Sequence, residues 1–213
     1  LNREKHKGNS EAPRPPRQDG TGTAGLPGKA ISFYIVPLDP AYPALAGRGT
    51  FRSKGEEMMS ELRLNPKYVE VISEVVNQSP YFALLSMKIK NLEWGTAVLE
   101  VDLDEKHLQP FGYVHGGAIA SVMDAAAFWA VFPQVKDGMG LTTVEIKVNY
   151  LAPVQKGKLV VKGRCIKIGK TLALGEAYIN SAEGNLLAHG TATMMIVPDL
   201  KVEGQENLPP KLI

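Results

Sequence analysis

Between Ala118 and Phe132 the chain carries one ionisable side chain, Asp124, and one hydroxyl, Ser121. Alanines and larger apolar residues fill the rest, with the length and composition of a helix. A helix with no polar face should be wrapped by protein on all sides. The remaining chain must therefore supply a surface that encloses it. Asp124 stands out because an ionised carboxylate in apolar surroundings is very costly unless something specific uses it. Gly116 and Gly117 come just before, where the first backbone N–H groups of a helix lack partners. Free N–H groups at a helix start, with a carboxylate two turns on, can stabilise an oxyanion and activate water.

The flanking segments predict what encloses the helix. Asn65-Pro66 opens an earlier helix, with Asn as cap and Pro in the first turn. Val69, Ile72, Val75 and Val76 recur at helical spacing up to about Gln78. Leu84 to Ile89 and Gly95 to Leu103 read as strands. In the second, Ala97, Leu99, Val101 and Leu103 alternate with Thr96, Val98, Glu100 and Asp102. The long helix should end near Pro133. Strands are then expected at about 140–152, 157–168, 171–182 and 186–197, with turns at Gly157, Gly169-Lys170 and Glu183-Gly184-Asn185. One apolar helix among antiparallel strands is an α+β arrangement, and a sheet curled around the helix would bury it.

His115-Gly116-Gly117, with an acid nine positions after the histidine at Asp124, resembles the hotdog-fold acyl-CoA thioesterases of the PaaI type. The segments His107-Leu108-Gln109-Pro110-Phe111-Gly112, Thr142-Thr143-Val144-Glu145, Asn149-Tyr150-Leu151-Ala152-Pro153 and Gly169-Lys170-Thr171-Leu172-Ala173 match in order. The resemblance runs roughly from Pro66 to Val197. It implies a hotdog fold, a curved antiparallel sheet wrapped around one long apolar helix, and hydrolysis of an acyl-CoA thioester. By that resemblance Asp124 is the general base or the nucleophile, and the Gly116 N–H polarises the thioester carbonyl. Thr143 would hold water near the acid. Gln109 would face the carbonyl or the water, at a place where the family commonly has Asn. Gly117 leaves room for the acyl group, and His115 either orients the loop or touches substrate. Lys167, Gly169, Lys170 and Thr171 would contact the pantetheine and phosphates of coenzyme A, with Tyr150 lining the same cleft. A homodimer is expected, able to pair into a dimer of dimers. Gly116 and Gln109 of one chain would face Asp124 and Thr143 of another.

Composition narrows the alternatives. The formal net charge of +2 over 213 residues leaves no basic footprint for nucleic acid. The single Cys165 rules out an internal disulfide and fits a reducing compartment, so a cytoplasmic location is expected. No His, Cys, Asp or Glu set has metal-ligand spacing, so neither a metal nor a separate cofactor is expected, coenzyme A being part of the substrate. The run Gly116 to Phe132 falls short of a bilayer span and contains Asp124, so no membrane partner is expected. Two other functions remain open: an acyl-CoA sensor without catalysis, and a hotdog hydratase or dehydratase, which would need a His paired with an acid. Phe128, Trp129 and Phe132 either bound an acyl pocket or are plain core. Aryl-acetyl and short- to medium-chain acyl groups are the favoured classes.

Residues 1–57 hold seven Pro, eight Gly and nine Lys/Arg against six Asp/Glu. Such a segment cannot build a core and is expected to be a disordered leader or a non-native extension. Gly55-Glu56-Glu57 requires purine-rich codons just before Met58-Met59, which suits a natural start there; a genuine flexible tail is the alternative. The hotdog domain is expected over 58–200, with a flexible tail over 201–213.

Overall fold

A computed structural model describes residues 63–202 and 207–213. The expected leader 1–57 and the start at Met58 or Met59 lie outside the described residues.

Helix α1 (Pro66–Asn77) begins as its cap predicts, with Asn65 Oδ1 accepting from the Lys67 N–H at 3.0 Å. Its buried row is Tyr68, Ile72 and Val76, whereas the expected Val75 is exposed. A short helix α2 (Pro80–Leu84) occupies the place where a strand was expected to start. Strand β1 (Met87–Glu93) follows, then β2 (Thr96–Asp102), helix α3 (Gly116–Val131), β3 (Met139–Tyr150), β4 (Lys158–Ile168), β5 (Leu172–Ser181) and β6 (Leu186–Pro198). The six strands form one antiparallel sheet in the order β1-β2-β4-β5-β6-β3. This is the hotdog arrangement of a sheet around a central helix. β3 returns to an edge beyond β6, so the two free edges are β1 and β3.

Helix α3 packs on one face of the sheet, above all on β4 and β5. Two glycines allow the close approach. A Cβ at Gly163 would collide with the Ala126 carbonyl, and one at Gly175 would lie 3.0 Å from the Ala127 carbonyl. The wrapping is incomplete, contrary to expectation. Ile119, Val122, Met123, Ala126, Ala127 and Ala130 are buried, but Gly117, Ser121, Asp124 and Phe128 form a partly exposed stripe at helical spacing. The sheet covers one side of α3 and stops at β3, which leaves the stripe open. Carried on through Phe132–Gln134, the helical stretch reaches 19 residues, apolar enough by length and composition to cross a membrane. Here it is largely buried as the core helix of the sheet.

The end of the chain also departs from expectation. Leu212 bridges Leu64, and the Asn65 N–H donates to Lys211 O at 2.9 Å. Lys211 Nζ donates to Val135 O at 2.6 Å and lies 3.2 Å from Asp137. Apolar and charged anchors thus hold residues 211–212 against the domain.

Candidate active site

Asp124 and Thr143 form one half of the site. The Thr143 hydroxyl donates to Asp124 Oδ1 at 2.9 Å. Thr143 sits opposite buried Met194, and Ile146, Val148 and Tyr150 sit opposite Ala192, Gly190 and Ala188 on the same, helix-facing side. An odd spacing between Thr143 and Ile146 is compatible with one face only because the pairing slips at Val144. That bulge re-aims Thr143 toward the helix. Asp124 itself is half-buried. Burial pushes its carboxyl above the usual carboxylate range, and the bond from Thr143 partly offsets the rise. A carboxylate tuned upward is a better base, and one on an open stripe can reach a substrate.

The second half lies where the chain enters α3. His107 is buried, with Nε2 2.9 Å from Leu85 O and the Asp104 N–H donating to Nδ1 at 2.9 Å. Its carbonyl accepts from the His115 N–H at 2.7 Å, which ties the start of the loop to its end. Between them the Gln109 N–H donates to Tyr113 O at 2.7 Å, and Gly112 turns with φ +79°. His115 is the N-cap, its Nδ1 accepting from the Gly117 N–H at 2.8 Å. That bond places the ring proton on Nε2 and lets the ring hold the start of the helix. Ala118 and Ile119 donate to His115 O. Among the described residues no acceptor meets the Gly116 N–H, which remains available at the positive end of the helix. The Tyr150 hydroxyl donates to Gly116 O at 3.1 Å, and its ring lies 3.4 Å from where a Gly116 Cβ would be. Gln109, Tyr113, Gly116, Ile119, Tyr150 and Leu187 line a cavity of about 390 Å³.

One chain does not join the two halves. Asp124 lies eight residues along the helix from Gly116, about 12 Å at 1.5 Å per residue. Thr143 and Tyr150 are about 20 Å apart along β3 at normal strand rise. Neither Asp124 nor Thr143 lines the cavity. Lys167, Gly169, Lys170 and Thr171 are exposed at the β4–β5 hairpin and lie outside it too. One backbone N–H of that turn is used within it, since the Gly169 N–H donates to Leu172 O at 2.8 Å. The cross-strand row Ala173–Met194–Thr143 puts that hairpin at Thr143's end of the sheet.

The aromatic cluster divides. Trp129 and Phe132 are buried core, while Phe128 is partly exposed on the stripe. Cys165 is half-buried in β4, and burial pushes its thiol up, away from nucleophile chemistry. Tyr81 escaped sequence reasoning. Its hydroxyl lies 2.7 Å from Ser121 Oγ on the same stripe as Asp124, and only an aromatic ring beside Ser79-Pro80 hints at it.

The profile of the Thioesterase superfamily matches residues 111–188, from the entry loop into β6. The 1,4-dihydroxy-2-naphthoyl-CoA hydrolase of Listeria monocytogenes is 30% identical over 112 residues, which is 53% of this chain and 91% of that protein. The chain belongs to the thioesterase superfamily. Human acyl-coenzyme A thioesterase 13 is 30% identical over 101 residues, 46% of this chain and 71% of that protein. Among solved structures, a thioesterase family protein from Silicibacter pomeroyi superposes with a TM-score of 0.57 at 28% identity, covering 62% of this chain and 98% of its own. A thioesterase from Haemophilus influenzae has the same fold, with a TM-score of 0.58 at 20% identity over 62% of this chain and 92% of that one. Family membership makes the protein a thioester hydrolase, a chemistry that can use both an acid and free helix-start N–H groups.

Proposed function

We infer that the protein hydrolyses acyl-CoA thioesters, of the aryl-acetyl or short- to medium-chain class, to coenzyme A and the free acid. The observation that carries this reading is the pairing of Thr143 with a raised-pKa Asp124 on an uncovered helix stripe. Asp124 takes a proton from water as the water oxygen attacks the thioester carbonyl carbon. The Gly116 N–H and the Gln109 amide stabilise the oxygen that becomes negative. The C–S bond then breaks, and the proton held by Asp124 goes to the leaving thiolate. Thr143 keeps the carboxylate oriented, and Tyr150 fixes the helix start.

The distances argue for a site shared by two copies. With about 12 Å of helix between Gly116 and Asp124, one chain cannot aim both at one carbonyl. A two-fold pairing along β3 would bring the Gly116 of one copy toward the Asp124 of the other, and would cover the free edge. The naphthoyl-CoA hydrolase and acyl-coenzyme A thioesterase relatives support an acyl-CoA thioester as the substrate. The spent Nδ1 of His115 argues against a hydratase, because that ring is a cap and not a partner of Asp124.

Thiol release measured over a panel of acyl-CoA esters, with Asp124→Asn in parallel, tests the reading. General-base catalysis supplies about 10²–10⁴-fold, so Asp124→Asn should lose at least about 100-fold in kcat with KM little changed. Wild-type protein that binds acyl-CoA but releases no thiol would favour a sensor.

A further inference from the structure

His107 takes no part in the chemistry above, yet the loop that carries Gln109 hangs from it. The entry loop is a small antiparallel ladder. The His115 N–H donates to His107 O, Leu108 bridges Val114, and the Gln109 N–H donates to Tyr113 O. Its two limbs are held differently. On the limb that runs into α3, the Val114 N–H donates to Val154 O at 2.8 Å, and His115 and Tyr150 fix the helix start. On the limb 107–109, one hydrogen bond among the described residues reaches an element outside the loop, and the His107 ring makes it.

That ring is 2% exposed and meets Leu85 O, 22 residues back, at 2.9 Å. A carbonyl oxygen only accepts, so Nε2 carries the hydrogen. In the neutral ring Nδ1 is then the acceptor for the Asp104 N–H at 2.9 Å. Asp104 O also lies 3.1 Å from Nδ1, but a hydrogen placed there would face that N–H. Both nitrogens are spent, so the ring is an anchor and offers a substrate no base. The far end of the anchor is a constrained turn. Ser86, directly after Leu85, takes φ +54°, and its N–H donates to Ala83 O at 3.2 Å. A non-glycine residue in the left-handed region persists where its surroundings hold it.

We propose that His107 is a positioning residue for Gln109: its bond to Leu85 O fixes the limb so that the Gln109 amide meets the oxygen that becomes negative. The proposal rests on the reading of Gln109 as a donor to that oxygen. Gly116 has its own anchors in His115 and Tyr150, so loss of the His107 bond moves Gln109 and spares the helix start. A donor misplaced by about 1 Å can cost on the order of 100-fold, because it works in the transition state and little in the bound substrate.

A double-mutant cycle on thiol release from the best acyl-CoA ester tests this, at a temperature where circular dichroism shows every protein folded. Gln109→Ala should lose about 100-fold in kcat. His107→Asn, whose amide is too short to reach Leu85 O, should lose about 10–100-fold in kcat with KM little changed. His107→Gln, whose amide nitrogen falls near the place of Nε2, should stay within about threefold of wild type. In the Gln109→Ala background, His107→Asn should cost less than about twofold, since the residue it positions is gone. Nitrogen NMR of the wild-type imidazole should find the hydrogen on Nε2, a readout that stands even if His107→Asn does not fold. A hydrogen on Nδ1 alone, an unchanged kcat in His107→Asn, an equal loss in His107→Gln, or the same loss with and without Gln109 overturns the proposal and leaves the hydrolase reading intact. A fully active Gln109→Ala protein removes Gln109 from the chemistry and the proposal with it. Failure of wild-type protein to cleave any ester of a broad panel removes the hydrolase reading as well.

Discussion

Along β1 the free edge of the sheet is closed by its own chain. Asn77, the last residue of α1, turns its amide onto the strand: the Ile89 N–H donates to its Oδ1 at 2.7 Å, and its Nδ2 donates to Ile89 O at 3.3 Å. The strand is short, and its pairing slips just after Ile89. Along β3, twelve residues long, no described element does the same, and Val144, Ile146 and Tyr150 are exposed. Long apolar edges are what proteins normally blunt. The functional groups gather at this second edge. Thr143 and Tyr150 belong to β3, and the stripe with Gly117, Ser121 and Asp124 runs beside it. On the function proposed above the uncovered edge is the working one: covering it with this chain would seal off the acid, whereas covering it with a second copy would deliver a second helix start.

The strongest way to break that contrast is to place a charge on each edge. Ile146→Glu puts a carboxylate into the surface proposed to pair, and a buried unpaired charge costs far more than a contact of this kind returns. Light scattering should report monomers, and kcat should fall by about 100-fold or more, because Asp124 loses the facing N–H donor. Asn91→Glu, on the exposed side of β1, should change neither mass nor turnover. A fully active monomeric Ile146→Glu protein would sink the shared site.

A milder change sharpens the chemistry at β3. Burial raises the Asp124 pKa and the Thr143 bond lowers it. Thr143→Ala removes the lowering contribution and leaves burial unopposed, so the pKa should rise further. The base works deprotonated. On acidification, activity should therefore be lost at a higher pH in the variant than in wild type. A kcat/KM profile from about pH 5 to 9 should show that displaced acid limb together with a roughly tenfold fall near neutrality. An unmoved limb would mean that the bond does not bear on the acid.

Local signals made much of this legible. The apolar run, the glycine turns and the alternation in β2 mark α3 and most strands, because periodicity and punctuation are read within a few residues. Asp124, Gly116 and Gln109 stood out on motif spacing. What stayed hidden depends on distant pairing. Nothing local places β3 outside β6, and Thr142 and Thr143 look alike until the bulge at Val144 turns one toward the helix. Small residues such as Gly117, Ala120 and Ser121 read the same on an open stripe as in a core, so the helix looked fully wrapped. The tail looked free because the anchors of Lys211 and Leu212 lie on elements far away in sequence.

The smallest effect belongs to the covered edge and separates structure from catalysis. Asn77→Ala removes both bonds to Ile89, whose backbone groups sit at a buried residue where the ladder slips. Leaving them without partners should cost about 1–3 kcal/mol, minus whatever water recovers at the edge. For a domain of this size the full cost is a fall of roughly 2–12 °C in Tm. Light scattering and kcat should match wild type, because α1 touches neither half of the site. Calorimetry and thiol release on one preparation decide it. A Tm unchanged within error would mean that the amide closes nothing, and β1 would then be as open as β3. A loss of kcat at an unchanged Tm would place the β1 edge in the working part of the molecule and end the distinction between the two edges.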